Sequence, residues 1–352
     1  MNTRIVKLYD LDPQEEYTKE AAEVIASGGL VIIPTETVYG IAANMLNKKA
    51  VDRLYEIKRR PRSKPFSVLI NEKMKVEEFV RAIPVSAYKL IDRFWPGPLT
   101  VILKAKDQGT IGIRMPDNEI ALKIISLAAV PIVCPSANIS GDSAPVNFAE
   151  AIKDMRGLVD FAIDAGATKL GLESSVVDFS VEPAQILREA AIKREDIEAV
   201  IRKKIILFAC TGNSCRSVMA KALLDKKLKE KGRSDVEVLS AGIISLGGVG
   251  ATGETKELLK EEGIDVSGHA SQKVSKEMVK KSDIILVMDK SQEERILQLA
   301  PEIKNRVFLL KEFAKIDDAD LDITDPIGKS LDFYRQIFEV IKGAVERVSN
   351  II

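Results

Sequence analysis

Residues 205–217 read Ile-Ile-Leu-Phe-Ala-Cys-Thr-Gly-Asn-Ser-Cys-Arg-Ser. The apolar run 205–209 is typical of a buried strand, and a helical pattern follows from residue 217. The loop between them lies at a helix N-terminus, where backbone N–H groups converge and favour a bound anion. This stretch therefore predicts a strand–loop–helix unit that can hold a phosphate group.

The side chains of this loop suit cysteine-based phosphate chemistry. Cys210 lies where the loop amides stabilise a thiolate, so we predict that it is the nucleophile. Arg216 can present a planar fork to two phosphate oxygens, and Ser217 can donate a hydrogen bond to the sulfur. Gly212 supplies the backbone freedom that such a loop needs. The predicted phosphate loop around Cys210 and Arg216 comprises Thr211, Gly212, Asn213, Ser214, Cys215 and Ser217.

Downstream of the loop, strand-like runs alternate with helical patterns. This alternation predicts a parallel sheet covered by helices on both faces, a three-layer α/β domain. Asp325, in Ile-Thr-Asp-Pro before the last helix, is the candidate acid that protonates a leaving group. The predicted strands are 204–209, 236–240, 283–288 and 306–310, and the predicted helices are 217–231, 254–262, 291–299 and 329–348.

The segment 203–350 resembles the low-molecular-weight protein phosphatase family, through the cysteine loop, the Asp-Pro pair and Ser-Ala-Gly at 240–242. The resemblance implies a covalent phosphocysteine at Cys210 and phosphate held by Arg216 and the loop amides. It also implies that Asp325 acts as acid and then as base for the attacking water. No metal or cofactor is expected for this reaction.

The expected substrate is a phosphoprotein. Phosphotyrosine-specific members usually carry a bulky apolar residue where Ser214 stands and aromatic residues after the Asp-Pro pair, whereas Ile-Gly-Lys-Ser follows here. This pattern is more similar to the protein-arginine-phosphatase branch, so phosphoarginine is favoured over phosphotyrosine. An arsenate-reductase-like activity is disfavoured because no cysteine follows Cys215 to relay a disulfide. A phosphoprotein-binding domain without activity is disfavoured because nucleophile, arginine and acid are all present.

Other residues around the loop have more than one interpretation. Cys215 is either a partner for a reversible disulfide with Cys210 or a small buried side chain. His269, the only histidine, is expected to be a surface loop residue. Residues 248–253, Gly-Val-Gly-Ala-Thr-Gly, spell a dinucleotide fingerprint, but their distance from the preceding strand and the lack of a well-placed acid predict a rim loop instead.

The 352 residues are too many for one typical core, so two domains are expected. A charged amphipathic helix at 190–204 precedes the strand at 205, which puts the boundary near residue 202 and predicts domains 1–202 and 203–352. The first domain is expected to be a mixed α/β fold with a twisted sheet. Its predicted strands are 30–34, 99–103, 131–134 and 173–179, and its predicted helices include 17–27 and 84–94.

Residues 58–64, Lys-Arg-Arg-Pro-Arg-Ser-Lys, place five positive charges in seven positions. Pro61 and Pro65 keep this run out of a regular helix and direct it toward a partner such as a triphosphate or an RNA backbone. Elsewhere, hydroxyl- and guanidinium-bearing motifs fall at strand ends and are expected to line one cleft. They are PTETVYG at 34–40, WPGPLT at 95–100, IRMP at 113–116, PSAN at 135–138, ESS at 173–175 and ILR at 186–188.

In this order the motifs resemble the threonylcarbamoyl-AMP synthase (YrdC-like) family. The resemblance implies that L-threonine, bicarbonate and ATP give threonylcarbamoyl-adenylate and pyrophosphate, and that a separate transferase uses the adenylate to modify tRNA. Catalysis is expected to rest on positioning and charge neutralisation, with a magnesium ion on the phosphates. The implied threonine-binding residues are Thr37, Arg114, Cys134 (through its backbone) and Ser174, and the implied ATP-binding residues are Lys58, Arg60, Lys64, Thr110, Ser136, Asn138 and Arg188.

Departures from the family pattern bear on the nucleotide site and leave the implied threonine site intact. The rival interpretation of the first half is an RNA-binding module without chemistry, in which residues 58–64 grip a phosphate backbone. Lys plus Arg equals Asp plus Glu at 52 each, so no global field favours nucleic acid or a membrane surface. The departures are Ala144, Val146, Ser175 and Ala190.

The expected location is the cytoplasm. The N-terminal residues 1–16 are charged and contain no apolar leader, and no apolar run is long enough to span a bilayer. Three cysteines, two of them five positions apart, fit a reducing compartment better than a disulfide framework.

Overall fold

The computed structural model describes residues 2–8, 15–244 and 247–352, in two compact units, Met1–Ile201 and Arg202–Ile352. The strands are β1 (Arg4–Lys7), β2 (Val31–Ile33), β3 (Gly40–Asn44), β4 (Val68–Leu69), β5 (Leu99–Lys104), β6 (Thr110–Arg114), β7 (Ile132–Val133), β8 (Phe161–Asp164), β9 (Ser175–Asp178), β10 (Gln185–Arg188), β11 (Lys204–Cys210), β12 (Val236–Gly242), β13 (Ile284–Val287) and β14 (Val307–Leu309).

The α-helices are α1 (Glu15–Ala26), α2 (Lys48–Lys58), α3 (Val76–Phe79), α4 (Val85–Phe94), α5 (Glu119–Ala128), α6 (Phe148–Lys153), α7 (Arg194–Arg202), α8 (Arg216–Glu230), α9 (Gly253–Glu261), α10 (Lys276–Lys281), α11 (Lys290–Leu299), α12 (Leu310–Phe313) and α13 (Leu331–Ile351). Short 3₁₀ helices cover Lys73–Lys75 and Pro301–Arg306. Among the described residues, no helix has both the length and the apolar character needed to cross a membrane.

The N-terminal unit contains one mixed ten-stranded sheet, in the order β1-β8-β2-β3-β7-β4-β6-β5-β9-β10. Successive side chains of a strand point to opposite faces, and the chain through β2 shows the result. Leu30 and Ile32 join one buried apolar cluster, while Val31 and Ile33 join another with apolar residues of α1 and α5. The mixed α/β fold predicted from the sequence is confirmed.

The C-terminal unit contains a parallel four-stranded sheet in the order β12-β11-β13-β14. On the central strand β11, Ile206 and Phe208 pack in a cluster with α8 and α13, and Leu207 and Ala209 pack in a second cluster. Both faces of β11 are therefore buried, as parallel strands require. This confirms the predicted three-layer parallel-sheet domain.

The helix predicted at 190–204 is shorter than expected, because α7 begins only at Arg194. The Ser175 hydroxyl accepts hydrogen bonds from the backbone N–H groups of Ala190 and Ile192, at 3.0 and 2.9 Å, and donates to Ile192 O. These contacts satisfy backbone groups outside a helix, so the helical pattern is overridden over 190–193.

Candidate active sites

The cysteine loop lies beyond the carboxyl end of β11, at the N-terminus of α8. Ligands of parallel α/β sheets bind at this edge. Cys210 is the last residue of β11 and Arg216 is the first residue of α8, so the strand runs one residue beyond the predicted 204–209 and the helix begins one residue before the predicted 217. Gly242, at the end of the neighbouring β12, leaves room for the loop, because a Cβ there would lie 2.9 Å from Gly212 C.

The Cys210 sulfur is surrounded by hydrogen-bonding groups. Sγ lies 2.9 Å from Ser217 Oγ and accepts a hydrogen bond from Asn213 N at 3.3 Å. Asn213 has a left-handed backbone, with φ of 56°, which turns its N–H toward the sulfur. The loop can therefore stabilise negative charge on this sulfur without a metal ion.

Arg216 connects the loop to the predicted acid. Its side chain is 2% exposed; Nη2 donates to Thr211 Oγ1 at 3.0 Å and pairs with Asp325 Oδ2. Nη1 donates to Asp289 Oδ2 at 3.1 Å and to Ile323 O at 2.7 Å. A cavity of about 150 Å³ brings the predicted nucleophile Cys210, Arg216 and the predicted acid Asp325 together, and Thr211, Gly212, Ser214, Cys215, Ile244 and Ile327 complete its lining.

In the N-terminal unit, most of the implied site residues face one cavity of about 660 Å³. Lys58 and Asn138 line a second cavity of about 280 Å³, and Arg60, Lys64 and Ser136 line both, so the two adjoin. Thr37 is fully buried; its hydroxyl lies 2.8 Å from that of Thr35, which does line the larger cavity. The implied residues lining the larger cavity are Arg60, Lys64, Thr110, Arg114, Cys134, Ser136, Ser174 and Arg188.

One wall of this cavity is built by Arg188 of β10. Its Nε donates to Ser174 O at 2.8 Å, its Nη2 donates to Ser174 Oγ at 3.2 Å, and its Nη1 pairs with Glu173. Ser174 Oγ also lies 2.8 Å from Thr100 Oγ1. These contacts hold a guanidinium and a hydroxyl side by side at the edge of the sheet.

The basic run begins inside a helix rather than wholly outside one. Lys58 is the last residue of α2, and Arg59 caps it with a left-handed backbone, φ 48°. Lys58 is 1% exposed, and its Nζ donates to Ser136 O at 2.5 Å and to Asn138 O at 2.7 Å. Burial, and then the charge of Arg60, lower the pKa of Lys58 to about 8.

Cys134 lines the larger cavity. Burial raises the pKa of its thiol to about 12, so the neutral form prevails at ordinary pH. The sulfur packs against the backbone of Gly40, where a Cβ would lie 2.4 Å from Sγ. The thiol thus has a packing role, and contact of the Cys134 backbone with a ligand stays a prediction.

Known proteins match the two units separately. The Sua5/YciO/YrdC family profile, described as telomere recombination, matches residues 23–190, and the low molecular weight phosphotyrosine protein phosphatase profile matches residues 205–351. A putative threonylcarbamoyl-AMP synthase of Methanocaldococcus jannaschii is 38% identical over 204 residues, covering 54% of this chain and 95% of that protein. A protein-arginine-phosphatase of Geobacillus stearothermophilus is 37% identical over 144 residues, covering 41% of this chain and 93% of that protein. The chain belongs to both families.

The structure of Pyrococcus abyssi Sua5 complexed with L-threonine is similar to this chain, with a TM-score of 0.54 and 26% identity over 99% of this chain and 98% of that one. This chain spans only 62% and 58% of two curated threonylcarbamoyl-AMP synthases, from Pyrococcus abyssi and Bacillus subtilis, which are 40% and 37% identical to it.

In the phosphatase-family unit, residues outside the predicted loop also support it, and the sequence pattern did not indicate these contacts. The side chain of Asn213, a predicted loop residue, donates to Ser217 Oγ within the loop and to Ser240 Oγ outside it, both at 3.0 Å. His269 lies in a loop and is partly exposed, and its Nε2 also lies 2.7 Å from Asn213 O, to which it donates a hydrogen bond. Thr252, in the segment 248–253, donates its N–H to Ser214 O at 3.1 Å. This segment thus packs against the phosphate loop.

Cys215 is 4% exposed, and its sulfur lies 3.4 Å from the Tyr334 hydroxyl. Burial and this contact raise the pKa of Tyr334 well above its usual range. The reversible disulfide with Cys210 stays a prediction.

In the Sua5/YciO/YrdC unit, the sequence pattern did not predict that Glu36 is part of the site. It lies within the quoted motif 34–40, but a glutamate in a loop is ordinarily exposed, and nothing local predicts that this one is buried.

Proposed function

We propose that the N-terminal unit forms threonylcarbamoyl-adenylate and pyrophosphate from L-threonine, bicarbonate and ATP. The observation that carries this proposal is the cavity of about 660 Å³, with Arg114 on its wall and Arg60, Lys64 and Arg188 around it. Its volume lies in the range of small-molecule sites, roughly 300–1,000 Å³. A carboxylate and a polyphosphate both need such fixed cations.

The proposed roles follow from side-chain chemistry. Arg114 binds the threonine carboxylate beside Ser174, and Arg60, Lys64 and Arg188 bind the ATP phosphates. Thr110 and Ser136 add hydroxyl groups to the nucleotide site, and Lys58 and Asn138 shape the adjoining cavity. Thr37 acts on the threonine site through Thr35, whose hydroxyl lies 2.8 Å from that of Thr37.

Magnesium fits this site as a companion of ATP. Within the described ranges, no group of three His, Cys, Asp or Glu side chains is placed to hold a metal ion. The ion would therefore be bound mainly by the nucleotide phosphates and water, as Mg²⁺ commonly is. When bound, it neutralises phosphate charge, and the basic residues do the same from the protein side.

The test is pyrophosphate release from purified protein given threonine, bicarbonate, magnesium and ATP. We expect release that requires both threonine and bicarbonate and that is lost in Arg114→Ala. Arg4→Ala, which removes an arginine from the exposed pair with Glu20, is the matched control and should retain activity. No release from folded wild type would refute the proposal and leave RNA binding through residues 58–64 as the working interpretation.

The product is proposed to pass to a separate transferase that acts on tRNA. We place both reactions in the cytoplasm, where a reducing environment keeps the free Cys134, Cys210 and Cys215 as thiols.

For the C-terminal unit we propose hydrolysis of a phosphorylated protein side chain through a phosphocysteine. The Cys210 thiolate attacks phosphorus and forms the S–P bond while the bond from phosphorus to the leaving group breaks. Asp325 protonates that leaving group, and its carboxylate then takes a proton from the water that cleaves the S–P bond. The carrying observation is the cavity in which Cys210, Arg216 and Asp325 meet.

The proposed substrate is phosphoarginine rather than phosphotyrosine. The small Ser214 lines the cavity, together with the aliphatic Ile244 and Ile327, and no aromatic side chain stands among the described residues that line it, so none of these offers a ring on which a tyrosine could stack. We expect a higher kcat/KM on a phosphoarginine peptide than on the matched phosphotyrosine peptide, and Ser214→Ile should lower that ratio. Cys210→Ser should abolish turnover of both peptides. A wild type that prefers phosphotyrosine would refute the substrate assignment, and a fully active Cys210→Ser would refute the mechanism.

A further inference from the structure

Glu36 is a buried carboxylate next to the proposed amino-acid site. It lies in the loop between β2 and β3 and is 3% exposed. Its Oε1 lies 2.7 Å from Nη2 of Arg114, which is 7% exposed. Neither carboxylate oxygen nor this Nη2 makes an aligned hydrogen bond in the described parts of the chain. The contact is therefore a close charge pair.

The loop that carries Glu36 is held on both sides. The Thr35 hydroxyl donates to Val38 O at 2.6 Å and accepts from the N–H groups of Thr37 and Val38, both at 3.3 Å. Glu36 O accepts the N–H of Leu170 at 2.8 Å. The backbone that carries the Glu36 side chain is thus fixed independently of any contact with Arg114.

Apart from its contact with Glu36, the Arg114 side chain is held less firmly than the loop that carries Glu36. It ends β6, where its backbone pairs with Leu69, and its Nε donates to Gly97 O at 3.3 Å. This long hydrogen bond does little to define the plane of a guanidinium. The charge of Glu36 is the stronger constraint on where the guanidinium lies.

The two residues face different cavities. Arg114 lines the cavity of about 660 Å³, whereas Glu36 lines one of about 210 Å³, and Thr35 lines both. Because Glu36 is not part of the lining of the larger cavity, it acts on a ligand there only through Arg114.

We propose that Glu36 is a positioning residue, which holds the Arg114 guanidinium in the orientation that receives the carboxylate of the amino-acid substrate. The inference rests on the proposed synthase function. Burying a lone guanidinium is costly, and a paired carboxylate offsets that cost while leaving donors of Arg114 available to the cavity. Without Glu36, the guanidinium would turn toward water or other acceptors and would meet the substrate in the wrong orientation.

The experiment compares wild type, Glu36→Gln and Glu36→Asp in the full-length protein. Glu36→Gln keeps the shape and removes the charge, while Glu36→Asp keeps the charge on a shorter side chain. Glu20→Gln, which breaks the exposed pair with Arg4, is the control for loss of a carboxylate in the same unit. Pyrophosphate release gives kcat and the KM values for threonine and ATP, and the fluorescence of Trp95, the only tryptophan, reports folding of this unit.

We expect Glu36→Gln to raise the threonine KM about tenfold or more, which corresponds to about 1.4 kcal/mol. The ATP KM should stay within about twofold, since Arg114 serves only one substrate in the proposal. Glu36→Asp should raise the threonine KM less than Glu36→Gln does, because it keeps the charge. Glu20→Gln should match wild type for both substrates.

An unchanged threonine KM in Glu36→Gln would overturn the inference. A lowered threonine KM would also overturn it, because Glu36 would then be competing with the substrate for Arg114, and equal increases in both KM values would indicate a general structural role. If Glu36→Gln does not fold, Glu36→Asp decides by the same criteria. Wild type that neither turns over nor binds threonine in calorimetry refutes the synthase proposal and this inference together; active wild type with an unaltered variant refutes the Glu36 role alone.

Discussion

Replacing Lys58 should change how the stability of the N-terminal unit depends on pH. Burial, followed by the charge of Arg60, lowers the pKa of Lys58 from 10.5 to about 8. Between these values the unfolded chain holds a proton on Lys58 that the folded protein has released. Unfolding then takes up a proton, so this residue lowers stability below pH 8, and that penalty disappears as the pH rises from about 8 to 10.5.

The size of the effect follows from the two pKa values. At about 1.4 kcal/mol per pKa unit, the full difference is about 3 kcal/mol. Integrating the linkage relation from pH 7 to pH 9.5 gives about 2 kcal/mol. Wild type should therefore gain about 2 kcal/mol relative to Lys58→Met over that range. Cys134, whose pKa is raised by burial, contributes with the opposite sign above pH 9, but it does so in both proteins and cancels in the comparison.

The assay is urea unfolding at pH 7.0 and 9.5, followed through Trp95 fluorescence. Trp95 is 3% exposed and is the only tryptophan, so its signal reports the N-terminal unit and not the phosphatase-family unit. Lys49→Met, which removes an exposed lysine from the same helix α2, should follow wild type. If wild type and Lys58→Met show parallel pH dependence, the argument that burial displaces the proton of Lys58 is refuted.

Asp325→Asn should lower kcat on a phosphoarginine peptide by about 100-fold or more, because the leaving group then departs without a proton donor. The loss should be smaller on p-nitrophenyl phosphate, which has a good leaving group, and Asp317→Asn, an exposed neighbour in the same loop, should stay active; equal losses on both substrates would contradict the acid role. Gly40→Ala should destabilise the N-terminal unit by about 1–3 kcal/mol, since its Cβ would lie 2.4 Å from Cys134 Sγ. Adding Cys134→Ala should recover part of that loss in Trp95-monitored urea unfolding, and a Gly40→Ala protein as stable as wild type would show that the backbone adjusts.

Local patterns account for what could be predicted correctly. Strand β11, the loop after Cys210 and the start of α8 follow one another within a few residues, so an apolar run, a glycine and an arginine suffice to predict them. The helix expected at 190–204 shows the limit of such reasoning. Its periodicity is real, but the hydroxyl of Ser175 takes the N–H groups of Ala190 and Ile192 and delays the helix to Arg194.

The partners of the site residues come from distant parts of the chain. In the ten-stranded sheet, β8 lies between β1 and β2, and β6 lies between β4 and β5. The hydrophobic periodicity of a sequence does not predict this order, because it carries no information about which strands become neighbours. That order brings Glu36 to Arg114, and the loop after β7 brings two backbone carbonyls to Lys58.

The sequence by itself determined the α/β class of both units, their two families and the residue types that can do the chemistry, because each depends on contiguous motifs. Tertiary structure alone decided which distant groups become partners: the Glu36 carboxylate beside Arg114, the Lys58 amine on carbonyl oxygens, and the His269 ring on the backbone of Asn213. The physical reason is that solvation and charge pairing depend on distance through space, and residues 36 and 114, or 213 and 269, become neighbours only when the sheets form.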